Sequence, residues 1–333
     1  MSSRNFAGAL PRRLAGALLA LSTAAAFGSA CAAEPPNASG SGKQFVVGYS
    51  QSNNAEPYRA QLNLQLQYFA KQHPDLKLLP ITDAHQDSAT QVSQVQNFIQ
   101  QKVDALIVSP NEPAPLTAAV QQACAAHIPV VVLDRSINTD CYTAFIGGDN
   151  YAIGKLAGQA ALQALPNGGS VVELRGILSD QPQIDRDQGF RDGIAGHDIT
   201  IVDQQEAKWL KANATTITQQ WLAKGDKIDL VYAHNDDMAL GAQLAIAGAG
   251  RSIPIIGIDG LAIPTGGIRA VQNGQLLTTF VYPTCAEQAA DTVERILHHQ
   301  AVDKKQALPT TQVTKDNAAQ LYQQNDMSGK VGK

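Results

Sequence analysis

Only four cysteines occur in 333 residues, aromatic side chains make up 5% of the chain and charged ones 16%. Each scarcity excludes something. Cys31, Cys124, Cys141 and Cys285 form no CxxC pair and no Cys/His set, so neither a disulfide-dense scaffold nor a zinc-thiolate centre is expected. The seven histidines are scattered and include no HExxH; the expectation is no metal and no cofactor. A formal charge of −4 with no basic stripe argues against nucleic acid as a partner, and no helix-turn-helix segment precedes the first strand. A GxSxG elbow and a P-loop are both absent. Beyond Phe27 no apolar run approaches the length of a membrane span.

What is present begins at the N-terminus. Arg4, Arg12 and Arg13 form a positive region, Leu14 to Phe27 is an apolar run, and Ala30-Cys31-Ala32 fits a small-residue cleavage site. Residues 1–33 therefore read as a secretory signal peptide and 34–43 as a linker, which places the protein in the periplasm. Lipid anchoring through Cys31 is the alternative. Removing the three arginines takes the formal charge to about −7. In an oxidising compartment two of the remaining thiols can pair. Cys124 and Cys141 both lie near the starts of neighbouring strands, so they either meet or stay as buried free thiols.

From residue 44 onward the pattern repeats: a short β-branched run, a turn, an amphipathic helix. QFVVGYS (44–50), LKLLPIT (76–82), DALIVS (104–109) and PVVVLD (129–134) read as strands of one series. TAFIGG (143–148), SVVELR (170–175), TIVDQQ (200–205), DLVYAH (229–234), PIIGID (254–259) and LLTTFVY (276–282) read as a second. The helices between them are expected over 57–72, 88–102, 116–126, 151–165, 184–194, 209–223 and 238–249. Near-continuous apolar strands alternating with helices imply α/β architecture with parallel sheets, here as two doubly wound domains. The length suits two domains, each with its own core.

In such sheets a ligand sits beyond the carboxyl ends of the strands. Four strands end in hydrogen-bonding or charged groups: Ser50-Gln51, Asp134-Arg135, Asn235-Asp236-Asp237 and Asp259. A carboxylate accepts, a guanidinium donates as a rigid fork, and an amide does both; together they match a polyol. Tyr58 opens a helix directly after the first strand and offers an aromatic face. Each residue also has a plainer reading: Asp134-Arg135 as a surface ion pair, Asn235 as a helix cap, Asp259 in Asp-Gly as a turn residue. Asp236 and Asp237 are expected to be structural, as acids favourable at a helix N-terminus. As two carboxylates Asp134 and Asp259 offer the residue types of a glycosidase pair, but neighbouring arginines are expected to keep both ionised, which leaves no general acid.

The segments VGYSQ (47–51), Tyr58-Arg59, VVVLDRSI (130–137), VVELRG (171–176), IDRDQGF (184–190), VYAHNDDMALGA (231–242) and GIDG (257–260) resemble those of the type I periplasmic sugar-binding proteins of ABC transporters. The ribose-binding branch is similar and the galactofuranose-binding branch more so. The resemblance runs over roughly residues 45 to 300. It implies two domains joined by a multi-segment hinge, with boundaries expected at 44–148 plus 283–310 and at 149–282 plus 311–333. It implies ligand contacts from Tyr58, Arg59, Asp134, Arg135, Arg186, Asn235, Asp259 and Tyr282. Two of these depart from the family: Tyr58 stands where Trp or Phe is expected, and Tyr282 where a polar hinge residue is expected. The function implied is the solute-binding component of a sugar importer. It would be a monomer, not an enzyme, closing on a monosaccharide (a furanose such as galactofuranose is one option) and docking on a permease in the inner membrane. A sensor subunit for a chemoreceptor or histidine kinase is the alternative from the same fold, and a sugar-acting enzyme the alternative from another class.

Overall fold

The computed structural model describes residues 44–331; the expected signal peptide and linker lie outside them. Two parallel sheets organise the chain. The first is built from β1 (Phe45–Gln51), β2 (Leu76–Leu78), β3 (Thr82–Asp83), β4 (Ala105–Ser109), β5 (Val130–Leu133), β6 (Ala144–Gly148) and β12 (Lys305–Leu308). Its order is β12-β6-β5-β4-β1-β2, with β3 continuing alongside β1. The second has the order β10-β9-β7-β8, from β7 (Gly169–Arg175), β8 (Ile199–Glu206), β9 (Leu230–Ala233) and β10 (Ile255–Ile256). Strands β4, β5 and β9 are buried at every residue, because helices cover both faces of a parallel sheet. Edge strand β8 alternates instead, exposing Thr200, Val202 and Gln204.

The helices connecting these strands are α1 (Pro57–Ala70), α2 (Ser88–Gln100), α3 (Pro113–Ala125), α4 (Asn150–Ala164), α5 (Gln181–Ile194), α6 (Lys211–Lys224), α7 (Asp236–Gly248), α8 (Gly267–Gln272), α9 (Ala286–Leu297) and α10 (Ala318–Asn325). Helices α3 and α5 begin three residues earlier than the apolar pattern indicates. Pro113 and Pro182 explain this, since proline is pre-organised for a first turn. Helix α6 begins two residues later than expected, because Trp209 has φ +67 and stands outside the helix. The run LKLLPIT is interrupted at Pro80 into β2 and β3, since proline supplies no ladder donor. LLTTFVY yields only β11 (Thr279–Phe280), paired antiparallel with β13 (Gln312–Val313). Single bridges Ile256–Thr278 and Asp259–Val281 join β11 to the end of β10.

The chain passes between the two sheets three times: between β6 and α4, between β11 and α9, and between β12 and β13. One apolar cluster follows it, running from Tyr49 and Leu62 through Tyr58 and Tyr282 to Phe190 and Tyr232. Helices α4 and α5 approach unusually closely. A Cβ on Gly154 would lie 2.3 Å from the Arg186 carbonyl oxygen, and one on Gly189 would lie 2.2 Å from that of Tyr151. Gly158 and Gly193 repeat the contact one turn on. Cys124 and Cys141 form a disulfide with a Cα–Cα distance of 6.2 Å, within the usual range. It closes the segment that holds β5, Asp134 and Arg135. Cys285 is free and buried.

Candidate functional site

The carboxyl ends of both sheets face one small cavity. All eight residues selected from the sequence border it, together with Glu56, Pro182 and Trp209.

On the first-sheet side, Arg59 is fully enclosed and its donors are taken. Nη2 bonds Asp134 Oδ2 at 2.8 Å, Nη1 bonds Ser109 Oγ at 2.7 Å and Gln51 Oε1 at 2.9 Å, and Nε faces Glu56 Oε1 at 3.3 Å. Burial opposes its charge, but Glu56 and Asp134 outweigh that and hold it firmly protonated. Asp134 has φ +66, a left-handed conformation that costs energy in a non-glycine residue and clusters at functional sites. Arg59 therefore fixes Asp134, whose remaining oxygen is left for the cavity. Arg135 bonds the Asn111 carbonyl through Nη1 at 2.9 Å and lies 3.6 Å from Glu56. Its Nε reaches across the cleft to Asp180 Oδ2 at 3.2 Å.

On the second-sheet side, Arg186 is held by Asn150 Oδ1 at 2.8 Å and by the His234 carbonyl at 2.5 Å. Its guanidinium carbon lies 4.7 Å from the Tyr282 ring centre and 5.6 Å from that of Trp209, a cation–π arrangement. Asn235 does what its plainer reading says, capping α7 through Met238 N at 2.9 Å. Its amide nitrogen also bonds the Trp209 carbonyl at 3.1 Å, and one N–H remains for the cavity. Asp236 is buried and structural, accepting from Gly260 N and Thr279 Oγ1, while Asp237 accepts from Lys211 N. Burial pushes Asp236 up to about 6 against those bonds.

Asp259, at φ +135, borders the cavity with no hydrogen-bond donor for its carboxylate among the described residues. Burial, then the neighbouring Asp236, pushes it well above the usual carboxylate range; Arg186 only partly counters this. The expectation that arginines keep both Asp134 and Asp259 ionised is therefore corrected for Asp259. Arg59 pairs with Asp134, whereas Arg186 is turned to Asn150 and His234. Hydroxyl donors from a ligand would favour the ionised form again.

The aromatic groups offer faces and not hydroxyls. Tyr58 Oη donates to the Pro283 carbonyl at 2.9 Å, and Tyr282 Oη accepts from Gly148 N at 3.3 Å. Trp209 Nε1 donates to Asp180 Oδ2 at 2.9 Å. Asp180, at 0% exposure, is pushed by burial up to about 6, against Arg135. Sequence reasoning missed Asp180, Trp209 and Glu56. All three follow the carboxyl end of a strand, β7, β8 and β1 respectively, so the strand-end rule applied to every strand would have found them.

A model of a periplasmic binding protein domain matches residues 47–304. A ribose import binding protein of Bacillus subtilis is 32% identical over 288 residues, covering 84% of this chain and 92% of that one. Among solved structures, the fructose-binding periplasmic domain of a hybrid two-component system is 34% identical with a TM-score of 0.81, covering 84% and 94% of the two chains. A galactofuranose-binding protein is 27% identical with a TM-score of 0.80, covering 84% and 98%.

Proposed function

The chain belongs to the periplasmic binding protein family, and from that premise we propose that it captures a monosaccharide in the cavity between its sheets and delivers it to an ABC permease in the inner membrane. The observation that carries this reading is the set of unused groups around one small cavity: the free oxygen of Asp134, the carboxylate of Asp259, spare donors on Arg135, Arg186 and Asn235, and the faces of Tyr58, Tyr282 and Trp209. Such a mixture suits a neutral ring bearing several hydroxyls, each able to donate and accept. Arg59 acts behind Asp134.

The three chain crossings serve as the hinge between 44–148 with 283–310 and 149–282 with 311–333. A sugar touching both halves binds the closed form better and shifts the population toward it. Thermal-shift screening of ligand-stripped protein against ribose, arabinose, galactose, fructose and galactofuranose tests the reading, since a ligand of the folded state raises Tm. One sugar should give a clear shift, confirmed by calorimetry at one site per chain; no shift with any sugar overturns it.

The similarity to a fructose-binding sensor domain favours one second reading, a periplasmic sensor with the same pocket. Uptake of the labelled sugar separates the two. Loss of uptake on gene deletion supports transport, and intact uptake with a lost transcriptional response supports sensing.

A further inference from the structure

We propose that Asp75, Glu294 and His298 form a binding site for one divalent transition-metal ion, at the amino-terminal edge of the first sheet and so at the opposite end of its strands from the sugar cavity. Each residue offers one ligand atom, and the three atoms lie within 4.8 Å of one another. Glu294 and His298 stand four apart at the end of α9, where His298 N still donates to the Glu294 carbonyl at 3.0 Å, so both project from one helix face. Asp75 lies in the turn between α1 and β2. That turn is pinned by Phe45 N to the Asp75 carbonyl at 2.7 Å and by Leu76 N to the His73 carbonyl at 3.0 Å.

The donor atoms are already oriented. His298 Nε2 lies 2.5 Å from Asp75 Oδ2, and its ring packs edge-on against Phe45 at 5.6 Å. Glu294 Oε2 is 2.8 Å from His73 Nδ1, while His73 Nε2 is 3.1 Å from Asp291 Oδ1. An outer hydrogen bond of this kind orients a metal-binding carboxylate. One imidazole with two carboxylates suits Zn²⁺, Co²⁺ or Mn²⁺. Ca²⁺ and Mg²⁺ prefer all-oxygen sites, and Cu⁺ prefers sulfur. Exposures of 26% for Asp75, 35% for Glu294 and 43% for His298 leave room for water to complete the coordination. Asp75 and His298 are 223 residues apart, so no spacing pattern announces the site. A bound ion would fasten α9, the segment that returns from the second sheet, to the β1–β2 edge of the first.

The test is calorimetric titration of the tag-free, EDTA-stripped chain with ZnCl₂, with melting curves in parallel. The comparison set is wild type, His298→Ala, the near-isosteric Glu294→Gln, and His85→Ala as a control at a histidine that is 80% exposed elsewhere. We expect one zinc per chain, bound at least tenfold more weakly by His298→Ala and by Glu294→Gln and unchanged by His85→Ala. A zinc-dependent rise in Tm should accompany binding in wild type and His85→Ala. Should His298→Ala not fold, Glu294→Gln alone decides. Absence of binding, or equal affinity in wild type, His298→Ala and Glu294→Gln, overturns the proposal and marks any ion as adventitious. Sugar titrations of the same proteins report on the cleft separately.

Discussion

The three arginines around the cavity use their donors differently, and that sets what each substitution does. Arg135 and Arg186 are each partly bonded to backbone carbonyls or to Asn150 and keep donors free for a ligand. Arg59 is committed to Glu56, Gln51, Ser109 and Asp134. Charge-assisted hydrogen bonds contribute about 1.5–3 kcal/mol each. Calorimetry should therefore find sugar binding weakened at least tenfold in Arg135→Ala and in Asp259→Ala, with melting curves that still show a folded chain. Arg59→Ala should instead lower Tm as well, because Glu56 and Asp134 would keep only the more distant Arg135 as a buried cation, and breaking a buried ion pair costs about 3–5 kcal/mol.

The acids also set a pH dependence. Asp180 and Asp236 are raised to about 6, and Asp259 is raised well above the usual carboxylate range, all by burial first. A raised native pKa means that the folded form binds protons that the unfolded form, with carboxylates near 3.9, has already released. The stabilisation is complete below about 4 and is lost as pH rises through about 6. Ligand-free protein should melt at a higher temperature at pH 5 than at pH 7.5, and the difference should shrink in Asp180→Asn. At this scale the site was largely legible, because Asp134, Asn235 and Asp259 follow apolar runs that can only be buried strands. Asp180 and Trp209 were not, since Asp180 comes only after a loop beyond β7 and β8, which precedes Trp209, alternates in polarity so that its end does not stand out.

Helices α4 and α5 owe their contact to glycines four residues apart on each: Gly154 and Gly158, Gly189 and Gly193. Backbone touches backbone there, and the consequence reaches the cavity. Asn150 starts α4, Arg186 lies in α5, and their 2.8 Å bond exists because the helices are this close. Gly189→Ala would place a methyl 2.2 Å from the Tyr151 carbonyl. Overpacking of this kind costs about 1–3 kcal/mol. We expect a lower Tm together with weakened sugar binding, as measured by thermal shift and calorimetry on the same preparation. Element type and order were readable from the alternation of apolar runs and helical periodicity. Boundaries were not, where Pro113 and Pro182 start helices before the apolar stripe begins. The short antiparallel pair of β11 and β13 was also hidden, because β13 is two residues of otherwise polar sequence.

Across the whole molecule, groups from both sheets meet at one cavity, and Arg135 touches Asp180 from the far side. The cleft is thus closed, and a ligand that contacts both halves favours this state by its differential affinity alone. Small-angle scattering should show a smaller radius of gyration when the cognate sugar is added to stripped protein. The contraction should be reduced in Asp259→Ala at the same sugar concentration. That two α/β halves would form was evident from two successive strand series. Their interleaving in sequence was implied by the family resemblance and not by the apolar pattern, since nothing in Lys305–Leu308 reads as an apolar strand.

That interleaving has a consequence in time. The four strands of the second sheet all fall between Gly169 and Ile256, so they can pair as soon as that stretch of chain has emerged. The first sheet waits for α9 to cover it and for β12 to join its edge beside β6. Pairings between distant segments close slowly, because the intervening chain must be ordered first. The half that carries Asp134 and Arg135 is the earlier one made and the later one finished, and until then its sheet is the part of a nascent molecule most open to wrong partners.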